Sequence, residues 1–471
     1  MTLRAKSESF STMIATTLLA FLSSSAITAG ASTLLLTAAP MHAQPGLNSA
    51  IVAGSENVLH GDPAALRLGD IYQLAAQLNP QFSAARALAR AADARIPGTK
   101  RPPDPQLQFG LMNRSLPSLA PMEVIGMTQL QLMQMIPVAG KLRLAGRVAT
   151  AQADAAGERA SDVWWDVRSR VAMAFYELYQ ADRSLTVALQ TRRLLEDIAQ
   201  TTQAMYAVGD GRQSDVLKAR VETAKMTEDI VRMRAMRVVA TATLTGLLNR
   251  APDSTLASPA LPAFPVDLPP LDSLLALADN TRPIIRAGIA DLRAAENTSK
   301  LASREIWPDL QVGIQYGQQR GLMGPDRMGS LMIGATLPIF ARSRQYKMRE
   351  EAQAMEAMAA ADLQAMRAET RARVAERYAT VVRARNLAVL YRGTVLPQAQ
   401  AAVTSSLAAY RVGQVNVMTL LDNQMTVNRY RQELFALDAE QGKSFAELEM
   451  LVGRELFNVN AAAVPPGDDQ L

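Results

Sequence analysis

"YAVGDGRQSDVLKAR" runs from Tyr206 to Arg220, and "YRVGQVNVMTLLDNQ" runs from Tyr410 to Gln424. Tyr206 aligns with Tyr410, Gly209 with Gly413 and Leu217 with Leu421. Glycine is the usual residue at which a helix stops. Each of these glycines closes a run almost free of breakers, Lys141 to Ala207 and Ser343 to Arg411. No proline stands between Val138 and Ala251, and only Pro397 stands between Ile339 and Val464. At ~1.5 Å per residue each run would be a helix on the order of 100 Å long. A helix of that length needs a partner along its side. The chain restarts after each glycine, at Val216 to Leu248 and at Val417 to Val452, with Ser214 or Asp215 as the expected N-cap in the first case and Asn416 in the second. The two stretches therefore read as the tips of two antiparallel helical hairpins.

The tips belong to a longer repeat with a period of about two hundred residues. "LAAQLNPQFSAARALARAADARI" matches "LLALADNTRPIIRAGIADLRAAENT", "PDPQLQFGL" matches "WPDLQVGI", "LQLMQMIPVAGKLRLAG" matches "LMIGATLPIFARSRQYK", and "VRSRVAMAFYELY" matches "TRARVAERYATVV", all in the same order. A proline-dense joint, Ala251 to Pro270, separates the copies. The division is a first repeat over 67–250, the joint over 251–270 and a second repeat over 271–453. A linker over 44–66 precedes them and a tail over 454–471 follows.

Each copy opens with a helical stretch, Asp70 to Ile96 or Leu271 to Ile306. Two short runs of period two follow. Leu107, Phe109 and Leu111 alternate with Gln108, Gly110 and Met112. Leu310, Val312, Ile314 and Tyr316 alternate with Gln311, Gly313, Gln315 and Gly317. Leu331, Ile333, Ala335 and Leu337 alternate with Ser330, Met332, Gly334 and Thr336. Met127 to Ile136 alternates less cleanly. Such runs are strands with one apolar and one polar face. On periodicity alone they fit an ordinary hairpin packed on a core better than a lipid-facing barrel.

Composition excludes several functions. The 471 residues contain no cysteine, and the two histidines, His42 and His60, lie near the N-terminus. Thiol catalysis, thiolate metal sites and a histidine centre in the body of the chain are ruled out. "GDG" at 209–211 lacks the flanking pattern of a phosphate or calcium loop. No paired carboxylates stand in a recognisable frame, so no enzyme, cofactor or metal site is expected. Lys+Arg number 49 against Asp+Glu 44, spread along the chain, which indicates no nucleic-acid surface. Arg4 and Lys6, then "MIATTLLAFL", then small residues up to Ala43 read as a signal peptide over 1–43, with an uncleaved anchor as the alternative. Beyond it no run approaches the roughly 20 apolar residues of a spanning helix.

With "NPQFSAAR", "PDPQL", strands ending in "IP" or "LP" and a "YxVG…L" tip in both copies, the chain resembles the TolC-type outer-membrane efflux channels over nearly all of 67–453. "VLPQAQAAVTSSLAAYRVGQVNVMTLLDNQMTVNRYRQEL" (Val395 to Leu434) carries the likeness by itself. The resemblance implies a mainly α fold with a small β part. Long hairpins would form an α-barrel across the periplasm of a Gram-negative bacterium. A homotrimer would share one β-barrel in outer-membrane lipid, four strands coming from each subunit. It turns the strand question toward the barrel, with Leu107, Phe109, Leu111, Leu310, Val312, Ile314, Tyr316, Leu331, Ile333 and Leu337 facing lipid.

The implied function is passive conduction of substrate from an inner-membrane pump and a periplasmic adaptor. The adaptor would meet the tips at Tyr206, Gly209, Asp210, Arg212, Tyr410, Gly413, Gln414 and Val415. Asp422 falls on a position that narrows the closed entrance, and Asp215 on one where an inter-helix ion pair holds the tip shut. Thr419 stands where other members carry a further acidic ring, and Val415 where some carry the basic partner. Taken locally, Asp215 reads equally as an N-cap and Asp422 as a solvated helix residue. "IPVAGKLRL" and "LPIFARSRQ" look like members that serve heavy-metal pumps. The 23 methionines suit soft cations, although their helical spacing in "MTEDIVRMRAM" fits seam packing better. Drug or organic-compound efflux, type I secretion and a secreted coiled-coil scaffold without a pore are the alternatives.

Overall fold

A computed structural model describes residues 65–457, apart from 116, 119, 122–126, 253, 266 and 322–323. The expected signal peptide and most of the segments 44–66 and 454–471 lie outside the described residues.

Both long hairpins are present. Helix α3, Lys141–Ala207, has 67 residues, and α4, Gln213–Leu247, returns along it. In the second copy α7, Gln345–Leu390, passes through a π-helical turn, Tyr391–Val395, into α8, Leu396–Arg411, and α9, Val417–Val452, returns. The π turn is a departure from the uninterrupted helix expected. Leu396 N donates to Tyr391 O, one residue further back than in an α-helix. Pro397 follows at once; it has no N–H to give to Gly393 O, and its ring crowds that carbonyl. A widened turn gives it room.

The opening stretch of each copy is two helices, not one. α1, Leu68–Leu78, breaks before α2, Pro80–Thr99, and α5, Leu271–Thr281, breaks before α6, Pro283–Arg304. The residue before a proline is forced out of the helical region, and both Asn79 (ψ 121°) and Arg282 (ψ 121°) are extended. Asn79 turns the break to use. Its Oδ1 accepts from Gln81 N (3.0 Å) and Phe82 N (3.1 Å), and its Nδ2 donates to Leu247 O (2.8 Å) at the end of α4.

The core of the hairpin roots joins the two copies. Val167, Val171, Phe175 and Leu178 of α3 bury against Leu68, Ile71 and Tyr72 of α1, Leu244 of α4 and Ala439 and Ala446 of α9. Leu274 and Ala278 of α5, Val374 and Val381 of α7 and Phe445 and Leu448 of α9 form a second cluster. The proline-dense joint crosses here. Phe264 packs on both clusters and stacks on Phe445 at 5.7 Å. Leu66 N donates to Ser258 O and Ala260 N to Leu66 O, each at 2.9 Å. Arg168 of α3 completes the root. It donates to Glu449 (3.3 Å) and Glu455 (2.5 Å) and lies 4.1 Å over the Tyr72 ring.

At Gly442 the backbone of α9 meets the Tyr176 ring so closely that a Cβ would overlap it. Gly442→Ala is therefore expected to destabilise the fold by about 1–3 kcal/mol through overpacking. Gly246→Ala, with nothing within 4 Å of the added carbon, should be neutral or slightly stabilising. Urea titration followed by helical circular dichroism in detergent compares the two.

The four strands form one antiparallel sheet in the order β1–β4–β5–β6: Gln106–Met112, Met127–Ile136, Leu310–Gly321 and Gly324–Ala335. A small hairpin, β2 (Arg114–Ser115) with β3 (Ala120–Pro121), lies between the first two. Register places Leu107, Leu132, Ile314 and Leu331 in one row across the sheet, and Phe109, Leu130 and Tyr316 in the next. Leu111, Ile136, Leu310, Val312 and Ile333 share that face. Gln108, Gln131, Gln315 and Ser330 form a row on the other, where Gln315 Nε2 donates to Gln129 Oε1 at 2.7 Å. Leu130, Leu132 and Ile136 extend the apolar face beyond the residues singled out from sequence. Leu337, expected on a strand, lies past its end. Pairing stops at Ala335, and Pro338 cannot continue it. The outer edges of β1 and β6 have no partner strand among the described residues. No described helix is long and apolar enough to cross a membrane.

Candidate functional site at the hairpin tips

Both tips close through the same backbone geometry. At the first, Asp210 N donates to Met205 O (2.9 Å) and Gly209 N to Tyr206 O (3.1 Å). At the second, Gln414 N donates to Ala409 O (2.9 Å) and Gly413 N to Tyr410 O (3.0 Å). This pairing requires a left-handed residue, which the glycines supply at φ 86° and 73°. Gly211 is needed as well, because a Cβ there would lie 2.9 Å from Tyr206 N.

The restarts differ. Asn416 caps α9 as expected, its Oδ1 accepting from Thr419 N at 3.0 Å. The Thr419 hydroxyl is spent on the same oxygen at 3.2 Å. Neither Ser214 nor Asp215 caps α4. The helix begins at Gln213 behind an extended Arg212 that makes no side-chain cap bond. Asp215 instead sits inside the first turn, where its carboxylate meets the positive end of the helix dipole.

The repeat predicts equivalent tyrosines, and their surroundings are opposite. Tyr206 is 47% exposed, whereas Tyr410 is 8% exposed. Tyr410 belongs to a cluster with Ala188 and Leu195 of α3, Ala219, Met226 and Ile230 of α4, and Val417, Leu420 and Leu421 of α9. This cluster packs the two tips side by side. Burial raises the Tyr410 hydroxyl pKa, and the charge of Asp215 raises it further, which places Asp215 beside the second hairpin.

The ion pair expected for Asp215 is not made among the described residues. Its hydrogen bond is from Ser214 Oγ at 3.3 Å. Val415 carries no charge and half-buries against the cluster, and Arg212 stays exposed on its own tip. The exposed rim comprises Tyr206, Asp210, Arg212 and Gln414 together with two apolar residues that sequence reasoning passed over, Val208 and Val412. Each of those valines immediately precedes a tip glycine.

Asp422 is exposed one helical turn past Met418. With Asp229, Met425, Asn428 and Arg429 it lines a cavity of about 490 Å³. It makes no salt bridge among the described residues, whereas Asp229 pairs with Arg232 at 3.5 Å. Beside it Asn428 is buried and accepts from Thr191 Oγ1 at 3.2 Å, fixing α9 to α3.

The model of outer membrane efflux proteins matches residues 71–250 and 274–454. The chain belongs to the outer membrane efflux protein family. It is an outer-membrane channel component and not an enzyme. The cobalt-zinc-cadmium resistance protein CzcC of Cupriavidus metallidurans is 25% identical over 308 residues, 64% of this chain and 70% of that protein. The fold is shared with VceC of Vibrio cholerae, at a TM-score of 0.69 and 16% identity over 83% of this chain and 97% of that one. It is shared also with the outer membrane channel MtrE of Neisseria gonorrhoeae in its open state, at 0.67 and 18% over 83% and 89%.

Proposed function

We propose that three copies of this chain close one transmembrane pore and conduct, passively, substrate handed over at the hairpin tips by a periplasmic adaptor and an inner-membrane pump. The observation that carries this reading is the sheet. Its four strands present a row of Leu, Ile, Phe and Tyr to one side and a row of Gln, Gly and Ser to the other, while β1 and β6 leave their outer edges open. In lipid an open edge would leave backbone groups unpaired, so such a sheet needs closure by further copies. A polar inner face then lines water and an apolar outer face meets lipid.

Metal cations are the proposed substrate, on the strength of the likeness to CzcC. A deletion strain should lose tolerance to cobalt, zinc or cadmium salts and keep its tolerance to a dye panel. The reverse pattern would move the assignment to organic-compound efflux.

The tips form the proposed gate. Asp422 is an exposed carboxylate on the return helix with no salt bridge among the described residues, and Asp215 lies beside Tyr410 with no counter-ion among them. Asp422→Ala should raise ion leak through channels in a planar bilayer and weaken block by divalent cations. Unchanged conductance and unchanged block would remove Asp422 from the constriction.

A further inference from the structure

Helix α3 starts with the wrong charge for a helix N-terminus. Lys141, its first residue, is buried and paired with Asp309 (2.9 Å) and Glu305 (3.4 Å). Arg143 and Arg147, in the first two turns, have no carboxylate within ion-pair distance among the described residues, although the positive end of a helix disfavours cations there. Lys100, beyond the end of α2, and Arg293 of α6 also lack such a partner, and all four line one cavity of about 580 Å³. Two other arginines on these helices, further from the sheet, are matched: Arg159 with Asp291 and Arg286 with Glu158, each at 2.5 Å. Asp154 is the one carboxylate among the cavity's lining residues, so four cations against one anion leave three positive charges.

The cavity is shaped as well as charged. Gly146 leaves the space in which the Lys100 stem lies, since a Cβ there would be 2.6 Å from Lys100 Cγ. Asn297 also lines it and keeps one amide N–H beyond the bond it gives to Arg293 O (2.7 Å), whereas the Thr150 hydroxyl is spent on Gly146 O (2.8 Å).

We propose that this cavity binds a phosphate-bearing anion through Lys100, Arg143, Arg147 and Arg293. Guanidinium groups suit phosphate oxygens because they can donate in pairs. The position favours a phospholipid headgroup as the source, and that part alone rests on the membrane placement proposed above. Arg143 follows the last residue of β4, Ile136, by seven positions. The same junction of sheet and helices exposes Trp307 (53%), Ile339 (82%) and Phe340 (75%). Aromatic and basic side chains just beyond an apolar band lie at headgroup level.

The test uses the full-length protein in detergent, titrated calorimetrically with inorganic phosphate at low ionic strength. In parallel, native mass spectrometry counts phosphatidylglycerol retained from nanodiscs. The wild type should bind phosphate and keep phosphatidylglycerol. Arg143→Gln/Arg147→Gln should bind either at least about tenfold more weakly, the loss expected for charge-assisted hydrogen bonds. Arg234→Gln, on α4 away from the cavity, should change nothing. Wild-type binding should also fall steeply by ~0.5 M salt. Phosphate bound without retained lipid would uphold the anion site and overturn the headgroup source. No binding of either, or binding unaltered in the double variant, would overturn the proposal. The phosphate arm does not depend on whether the protein forms a pore, so the two readings fail separately.

Discussion

Arg168→Ala is expected to cost about 3–5 kcal/mol of folding stability, the usual penalty for stranding one half of a buried ion pair. Glu449 is 1% exposed. Without the guanidinium it retains the backbone N–H of Leu456 at 2.9 Å but no cation. The Tyr72 ring loses its cover at the same time. Burial already raises the Glu449 pKa, and Arg168 opposes that rise, so removing Arg168 sends it higher. The sign of the pH dependence follows. A carboxyl whose folded pKa exceeds its unfolded one contributes stability below the unfolded value and loses it as pH rises through the folded value. The Arg168→Ala defect should therefore be larger near neutral pH and shrink on acidification. Arg168→Met/Glu449→Leu should recover much of the loss, since an apolar pair of similar volume needs no counter-charge. Thermal melts of the detergent-solubilised protein at several pH values check this. A defect of equal size across them would mean that Arg168 acts through packing on Tyr72.

The second large effect lies in the sheet. Ile314→Arg should cost on the order of 2–4 kcal/mol per subunit in lipid, the penalty for a cation at mid-membrane on a barrel's outer face. Ile314 stands in the row Leu107, Leu132, Ile314, Leu331, near the middle of the strand pairings. Gln315→Arg, one residue along, points to the opposite face. It should leave folding nearly unchanged while shifting the channel's selectivity toward anions. Urea titration in vesicles, with conductance on the same samples, measures both. Equal tolerance of the two substitutions would contradict the assignment of faces.

Much of this was legible because it rests on local rules. A glycine that ends a helix and a breaker-free run of fixed length are sequence features, and α3 spans Lys141–Ala207 as read. The strand faces followed from period two. Leu130 and Leu132 were obscured because Met127, Met133 and Met135 blur the contrast along β4. The breaks at Asn79 and Arg282 were available from Pro80 and Pro283, and were passed over because the hydrophobic pattern runs through them. What could not be read locally depends on which copy a residue belongs to. Tyr206 and Tyr410 occupy the same place in the repeat, yet only Tyr410 faces the other hairpin. Arg168 and Glu449 lie 281 positions apart, and no spacing rule joins them.

The most direct test of the central claim is the mass and shape of the detergent-extracted protein, by light scattering and negative-stain microscopy. The account predicts three chains per particle and a tube extending on the order of 100 Å from the detergent belt, as the rise of α3 requires. A monomer or dimer released without detergent would contradict it, and the pore, the gate and the conduction role would fall together.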